Sequence, residues 1–168
     1  CLLGLMKRIL IIDDHDQIRE NIAEILTLGG YETFTAENGK KGVEIALEEH
    51  PDLVVCDIMM PELDGFGVLH LLRKNASTEH IPFIFLTAKV ERTDFRKGME
   101  MGADDFITKP FDDIELLNAI EISLKKQDIL AQKYASDGKG VQELLKDLNQ
   151  SGLINLDPEK FDTETVPK

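Results

Sequence analysis

The feature that most restricts how this chain can fold is an alternation. Short apolar runs of strand character alternate with segments of helical period, and the pair recurs five times. The runs are ILII (9–12), YETFTA (31–36), LVVC (53–56), FIFL (83–86) and DFITK (105–109). Between them, DQIRENIAEILTLGG places Ile18, Ile22, Ile25 and Leu26 on one helical face, closed by Gly29-Gly30. GKKGVEIALEEH places Val43, Ala46 and Leu47 together and stops at Pro51. FGVLHLLRK, the polar ERTDFRKGMEMG and DDIELLNAIEISLKK give three more helices, with Asp112 capping the last. Strands alternating with helices of this length imply βαβ units and a parallel sheet.

Fold class follows: α/β, a doubly wound (βα)5 three-layer sandwich of flavodoxin-like type. The sheet is expected to be five-stranded and parallel, in order 2-1-3-4-5. The repeating domain spans residues 6–126, with Met6-Lys7-Arg8 as its natural start. Residues 127–168 read as a helical extension or linker leading to an output domain outside these residues. There the fifth helix continues through Ile129, Leu130 and Tyr134 until SDGKG (136–140), followed by a second stripe of Val141, Leu144, Leu145 and Leu148.

Composition excludes some partners. Thirty-two acidic against nineteen basic side chains give a net charge of −13. That balance argues against a broad nucleic-acid surface, which needs a basic patch. No helix-turn-helix or basic recognition helix is legible, so direct nucleic-acid binding by these residues is not expected. No apolar run approaches the roughly 18–20 residues of a membrane span. Cys1 and Cys56 offer no disulfide framework, and a reduced cytoplasmic setting is the simpler reading.

The chemistry lies where the strands end. In open α/β sheets, ligands gather beyond the carboxyl ends of the strands. There strand 1 delivers Asp13 and Asp14, strand 3 Asp57, strand 4 Thr87-Ala88 and strand 5 Lys109-Pro110. Clustered carboxylates repel one another, and all-oxygen ligation suits Mg2+, with Mn2+ as the alternative ion. Asp57 is then a nucleophile for a phosphoryl group, Lys109 a positive charge for a phosphate oxygen and Thr87 a hydroxyl donor. Pro110 fits a fixed turn that aims the lysine, a cis bond being one option.

Taken in order, Asp13-Asp14, Asp57 with MMP and DG after it, Thr87-Ala88 and Lys109-Pro110-Phe111 resemble the receiver domain of bacterial response regulators. The resemblance covers residues 7 to about 125. It implies a CheY-like protein to which a sensor histidine kinase donates a phosphoryl group at Asp57. It also implies Mg2+ held by Asp14, Asp57 and the Met59 main-chain carbonyl, with Asp13 acting through water. Its switch is Thr87 drawn toward the phosphate, with Phe106 reorienting inward; lacking a hydroxyl, Phe106 works by packing alone.

Such a domain signals through the face of its fourth helix, fifth strand and fifth helix, or by homodimerisation through that face or the C-terminal helix. Phe95 and Ala119 stand near the positions where the DNA-binding branch carries basic residues, so its usual charge pairing is not expected. Apart from catalysing its own phosphorylation and dephosphorylation, such a domain is not an enzyme.

Two other readings remain. A phosphatase of haloacid-dehalogenase type would use the Asp14-x-Asp16 pair, but Ile18 replaces the usual residue two positions on, no cap insertion is present and Asp57 goes unexplained. A receiver-like docking module would never carry phosphate. His15 beside the acids raises a transition-metal reading, set aside because His50, His70 and His80 lack ligand spacing. No phosphate loop of the GxxxxGK[ST] kind occurs.

Overall fold

In a computed structural model of the chain, residues 6–88 and 91–137 are described, with side chains to Lys133. Five strands form the sheet: β1 (Arg8–Ile12), β2 (Glu32–Ala36), β3 (Leu53–Asp57), β4 (Phe83–Thr87) and β5 (Asp105–Thr108). All four pairings are parallel, as the alternation predicts, and the order is β2-β1-β3-β4-β5, that of the expected fold class. The helices are α1 (Asp16–Leu28), α2 (Gly39–Glu49), α3 (Gly65–Lys74), α4 (Arg92–Glu100) and α5 (Asp113–Asp137).

Period two along the strands divides the core into two layers. Leu10, Ile12, Val54, Cys56, Phe83 and Phe85 pack with α2 and α3 on one face. Ile9, Ile11, Leu53, Val55, Ile84 and Leu86 pack with α1 and α5 on the other. Every residue of β3 and β4 is buried, which is why both read as unbroken apolar runs. Strand β2, at one edge, is buried only at Ala36 and reads as an alternating strand. Each fully buried aliphatic side chain contributes about 2 kcal/mol, so this double-sided burial fixes the topology.

Capping follows local chemistry. Side chains of Asn38, Asp64 and Asp112 accept from the N–H groups of Lys41, Gly67 and Glu115, starting α2, α3 and α5. Helix α2 departs from the expected face. Ala46 is buried, but Leu47 is exposed, and Gly39 and Gly42 complete the contact, helped by Ile45. A side chain at Gly42 would collide with Ile12, so the glycine lets the helix lie close to β1.

The described part of α5 runs from Asp113 to Asp137, so the helix continues beyond Lys126. Its buried residues are Leu116, Ile120, Ser123 and Leu124, whose spacing keeps one face on the sheet. The glycine break after Asp137 and the stripe from Val141 to Leu148 lie outside the described residues. Among the described residues, no helix is long and apolar enough to cross a membrane.

Candidate functional site

The strand order reverses between β1 and β3, and the loops that diverge there open a crevice at their carboxyl ends. Asp13 follows β1 immediately and is fully buried. One of its oxygens accepts from the His15 N–H at 2.8 Å, tying the strand end to the start of α1. The other accepts from Lys109 Nζ at 3.1 Å. Asp57 ends β3 and is only 4% exposed, with Oδ1 3.4 Å from the same ammonium. One lysine thus bridges two buried carboxylates.

The environment of Asp57 pulls in both directions. Burial raises its pKa above the ordinary aspartate value, Lys109 opposes that, and Asp13 and Asp14 add to it. The net direction is upward. Asp14 sits at the mouth, and its Oδ1 is shielded from solvent without a hydrogen-bond partner among the described residues. An orphaned carboxylate oxygen beside two more carboxylates fits a divalent cation, whose oxygen ligation would satisfy it.

The loop after Asp57 folds back on the strand. Gly65 N–H donates to the Ile58 carbonyl, and a Cβ at Gly65 would stand 2.5 Å from the Asp57 carbonyl oxygen. Only glycine fits that approach. Within the loop, Glu62 has a positive φ of 68°, and Met59 lies exposed beside buried Met60. Thr87 ends β4 and is 5% exposed, and its carbonyl accepts from Lys109 N–H at 2.8 Å. The Lys109–Pro110 bond is cis.

Phe106 on β5 is half-buried. Its ring centroid lies 5.1 Å from Phe85 and 5.1 Å from Phe95. Gly98 of α4 makes room for it, since a Cβ there would stand 2.5 Å from the ring edge. Lys97 lies over the ring of Phe66, 4.5 Å from its centroid. Phe95 remains 44% exposed on the outer surface of α4.

The sequence places His15 beside the acids, and the structure brings its ring into contact with two of them. Asp13, Asp14, His15 and Asp57 present ligand atoms all within 4.8 Å of one another. His15 was weighed by its spacing from distant histidines. The useful signal was local: it is the N-cap residue of α1, so the turn after β1 brings it back over the acids. Asp16 points elsewhere, in an exposed pair with Arg19 at 2.6 Å.

Comparison with known proteins agrees with this geometry. A family model described as "Response regulator receiver domain" matches residues 9–121. The DNA-binding dual master transcriptional regulator RpaA of Synechocystis sp. is 38% identical over 157 residues, 94% of this chain and 61% of that protein. The phosphate regulon transcriptional regulatory protein PhoB of Pseudomonas aeruginosa is 41% identical over 120 residues, 71% of this chain and 52% of that protein. The chain therefore spans about half to six tenths of the length of these curated relatives.

Among solved structures, a response regulator receiver domain protein from Clostridium thermocellum superposes with a TM-score of 0.70 at 31% identity, covering 74% of this chain and 99% of that one. Chemotaxis protein CheY4 of Vibrio cholerae gives 0.68 at 27% identity, covering 70% and 98%. With the five-stranded order, the acidic crevice and the match across the whole sheet, the chain belongs to the response regulator receiver domain family.

Proposed function

We propose that Asp57 accepts a phosphoryl group from the phosphohistidine of a sensor histidine kinase. A carboxylate oxygen of Asp57 forms the new O–P bond as the N–P bond breaks, leaving neutral imidazole on the kinase and an acyl phosphate here. The observation that carries this reading is the single ammonium of Lys109 held between two buried carboxylates, Asp13 and Asp57. Such an excess of negative charge has no structural use and is costly unless a cation or a reaction employs it.

Asp14, Asp57 and the Met59 main-chain carbonyl would hold Mg2+, or Mn2+, with Asp13 acting through water. The bound ion supplies charge neutralisation for the incoming phosphoryl oxygens. Lys109 then turns toward a phosphate oxygen, and the Thr87 hydroxyl donates to another. Phosphorylation places roughly −1.5 to −2 charges at this point. Driving a two-state element from mostly off to mostly on takes about 5 kcal/mol of differential interaction, within reach of one phosphate paired to these groups.

The output runs through α4, β5 and α5, where Phe106 reads the change by packing alone. Homodimerisation through this face or through the C-terminal helix is the proposed consequence, without the charge pairing that basic residues at Phe95 and Ala119 would provide. Residues 6–126 act as the receiver, and 127–168 link it to an output domain beyond these residues. The relatives are transcriptional regulators, one of them named as DNA-binding. DNA binding is accordingly assigned to that further domain, and the protein to the cytoplasm. The phosphatase reading gains nothing, since Asp16 is occupied by Arg19.

The test is the intact mass after incubation with acetyl phosphate, with and without Mg2+, for the wild type and Asp57→Asn. A Mg2+-dependent gain of one phosphoryl group, absent in the variant, is expected. A folded wild type that never gains it would instead support a docking module.

A further inference from the structure

The acidic crevice contains one potential ligand that the oxygen-only description of the site leaves unused. His15 Nδ1 lies 3.2 Å from Asp14 Oδ1 and 3.3 Å from Asp13 Oδ1. The contact with Asp13 is a hydrogen bond, whereas Asp14 Oδ1 is buried and hydrogen-bonded to nothing among the described residues. His15 Nδ1 thus stands between two carboxylate oxygens and pairs with both when the ring is protonated. That spacing matches neighbouring ligands on one octahedral ion, which stand about 3 Å apart when each bond is about 2.1 Å.

We propose that His15 is a ligand-selecting residue: its Nδ1 joins the carboxylates around a borderline first-row divalent ion, of the Co2+ or Ni2+ class, and biases the site toward such ions over Mg2+. The inference rests on the reading of the acidic crevice as the cation site. Mg2+ prefers oxygen and keeps its waters, so the imidazole adds nothing for it. Borderline ions gain from imidazole, and their affinity for nitrogen rises along the first row.

The position of His15 supports the role. It is the N-cap residue of α1 with extended backbone, and its N–H is fixed to Asp13 at 2.8 Å. The backbone is therefore held, while the ring is 63% exposed and has room to turn onto an ion at the mouth. Asp13 is anchored from behind by Lys109, which keeps the carboxylate in place as the ring moves. His50, His70 and His80 belong to none of the described groups of convergent ligands.

The test uses the whole chain with two ions. Calorimetric titration with Mg2+ and with Co2+ compares the wild type with His15→Ala. The preference for Co2+ over Mg2+, taken as the ratio of the two affinities, is expected to fall by about tenfold or more in the variant. A second readout needs no variant of uncertain stability: proton NMR of the Co2+ form should show a strongly shifted exchangeable imidazole signal that excess Mg2+ removes.

An unchanged Co2+ preference in His15→Ala, or a Co2+ form without that signal, overturns the role of His15. If Mg2+ still binds and supports phosphoryl uptake at Asp57, the proposed function survives that loss. If neither ion binds at the crevice, both readings fall together.

Discussion

The two ends of the same sheet handle charge in opposite ways. At the amino end, charged groups are balanced locally. Arg8 donates to the Glu49 carboxylate and carbonyl at 2.7 and 2.8 Å, pairs with Glu32 at 3.3 Å and stacks on Phe34. Its N–H is taken by Asp52 and that of Phe83 by Asp104. Arg73 ties the carbonyls of Ile81 and Gly102 together. At the carboxyl end, two buried carboxylates share one lysine, and an oxygen of a third, Asp14, has no hydrogen bond among the described residues. Charge that the fold settles internally is structural; charge that it leaves in excess is held ready for something to bind.

That contrast can be broken most severely at Lys109. Lys109→Met would remove the ammonium that Asp13 and Asp57 share and leave both carboxylates buried without it, at a cost of about 3 kcal/mol in the metal-free protein. Urea unfolding measures it, and added Mg2+ should recover part of the loss, because a cation replaces the missing ammonium. At the other end, Arg73→Met should cost about 1 kcal/mol, chiefly by orphaning the carbonyl oxygen of buried Ile81. There Mg2+ should stabilise the variant by the same increment as the wild type. Equal responses of the two variants to Mg2+ would erase the distinction between the ends.

A smaller effect concerns pH. Because the folded pKa of Asp57 is raised, the native chain keeps a proton that the unfolded chain has already released at pH values just above 3.8. Metal-free stability should therefore fall as pH rises from the ordinary aspartate value through the raised one, then level off. Asp57→Asn should remove that decline and be the more stable of the two proteins at neutral pH. Unfolding curves across this range, with both proteins free of metal, check the sign.

How much of this was legible depended on what the local residue pattern records. Strands β3 and β4 were plain, because burial on both faces demands unbroken apolar runs. The buried face of α2 was misjudged at Leu47, because Gly39 and Gly42 form the contact yet carry no hydropathy signal. Asp13, Asp14, Asp57, Thr87 and Lys109 were legible from the rule that ligands gather at carboxyl strand ends. His15 was legible beside the acids but set aside for want of ligand spacing to other histidines, because a turn rather than a repeat spacing brings its ring to them. Nor could periodicity show Phe106 packed between Phe85 and Phe95 beneath Gly98, since aromatic stacking across elements leaves no mark in a single segment.

The most direct test of the central claim is the position of the phosphoryl group. An acyl phosphate is reduced by borohydride, converting the modified aspartate to homoserine, which peptide mass spectrometry locates. Protein phosphorylated by acetyl phosphate in Mg2+ should carry homoserine at position 57 and at no other aspartate. Homoserine at position 14 or 16 would contradict the account and restore the phosphatase reading.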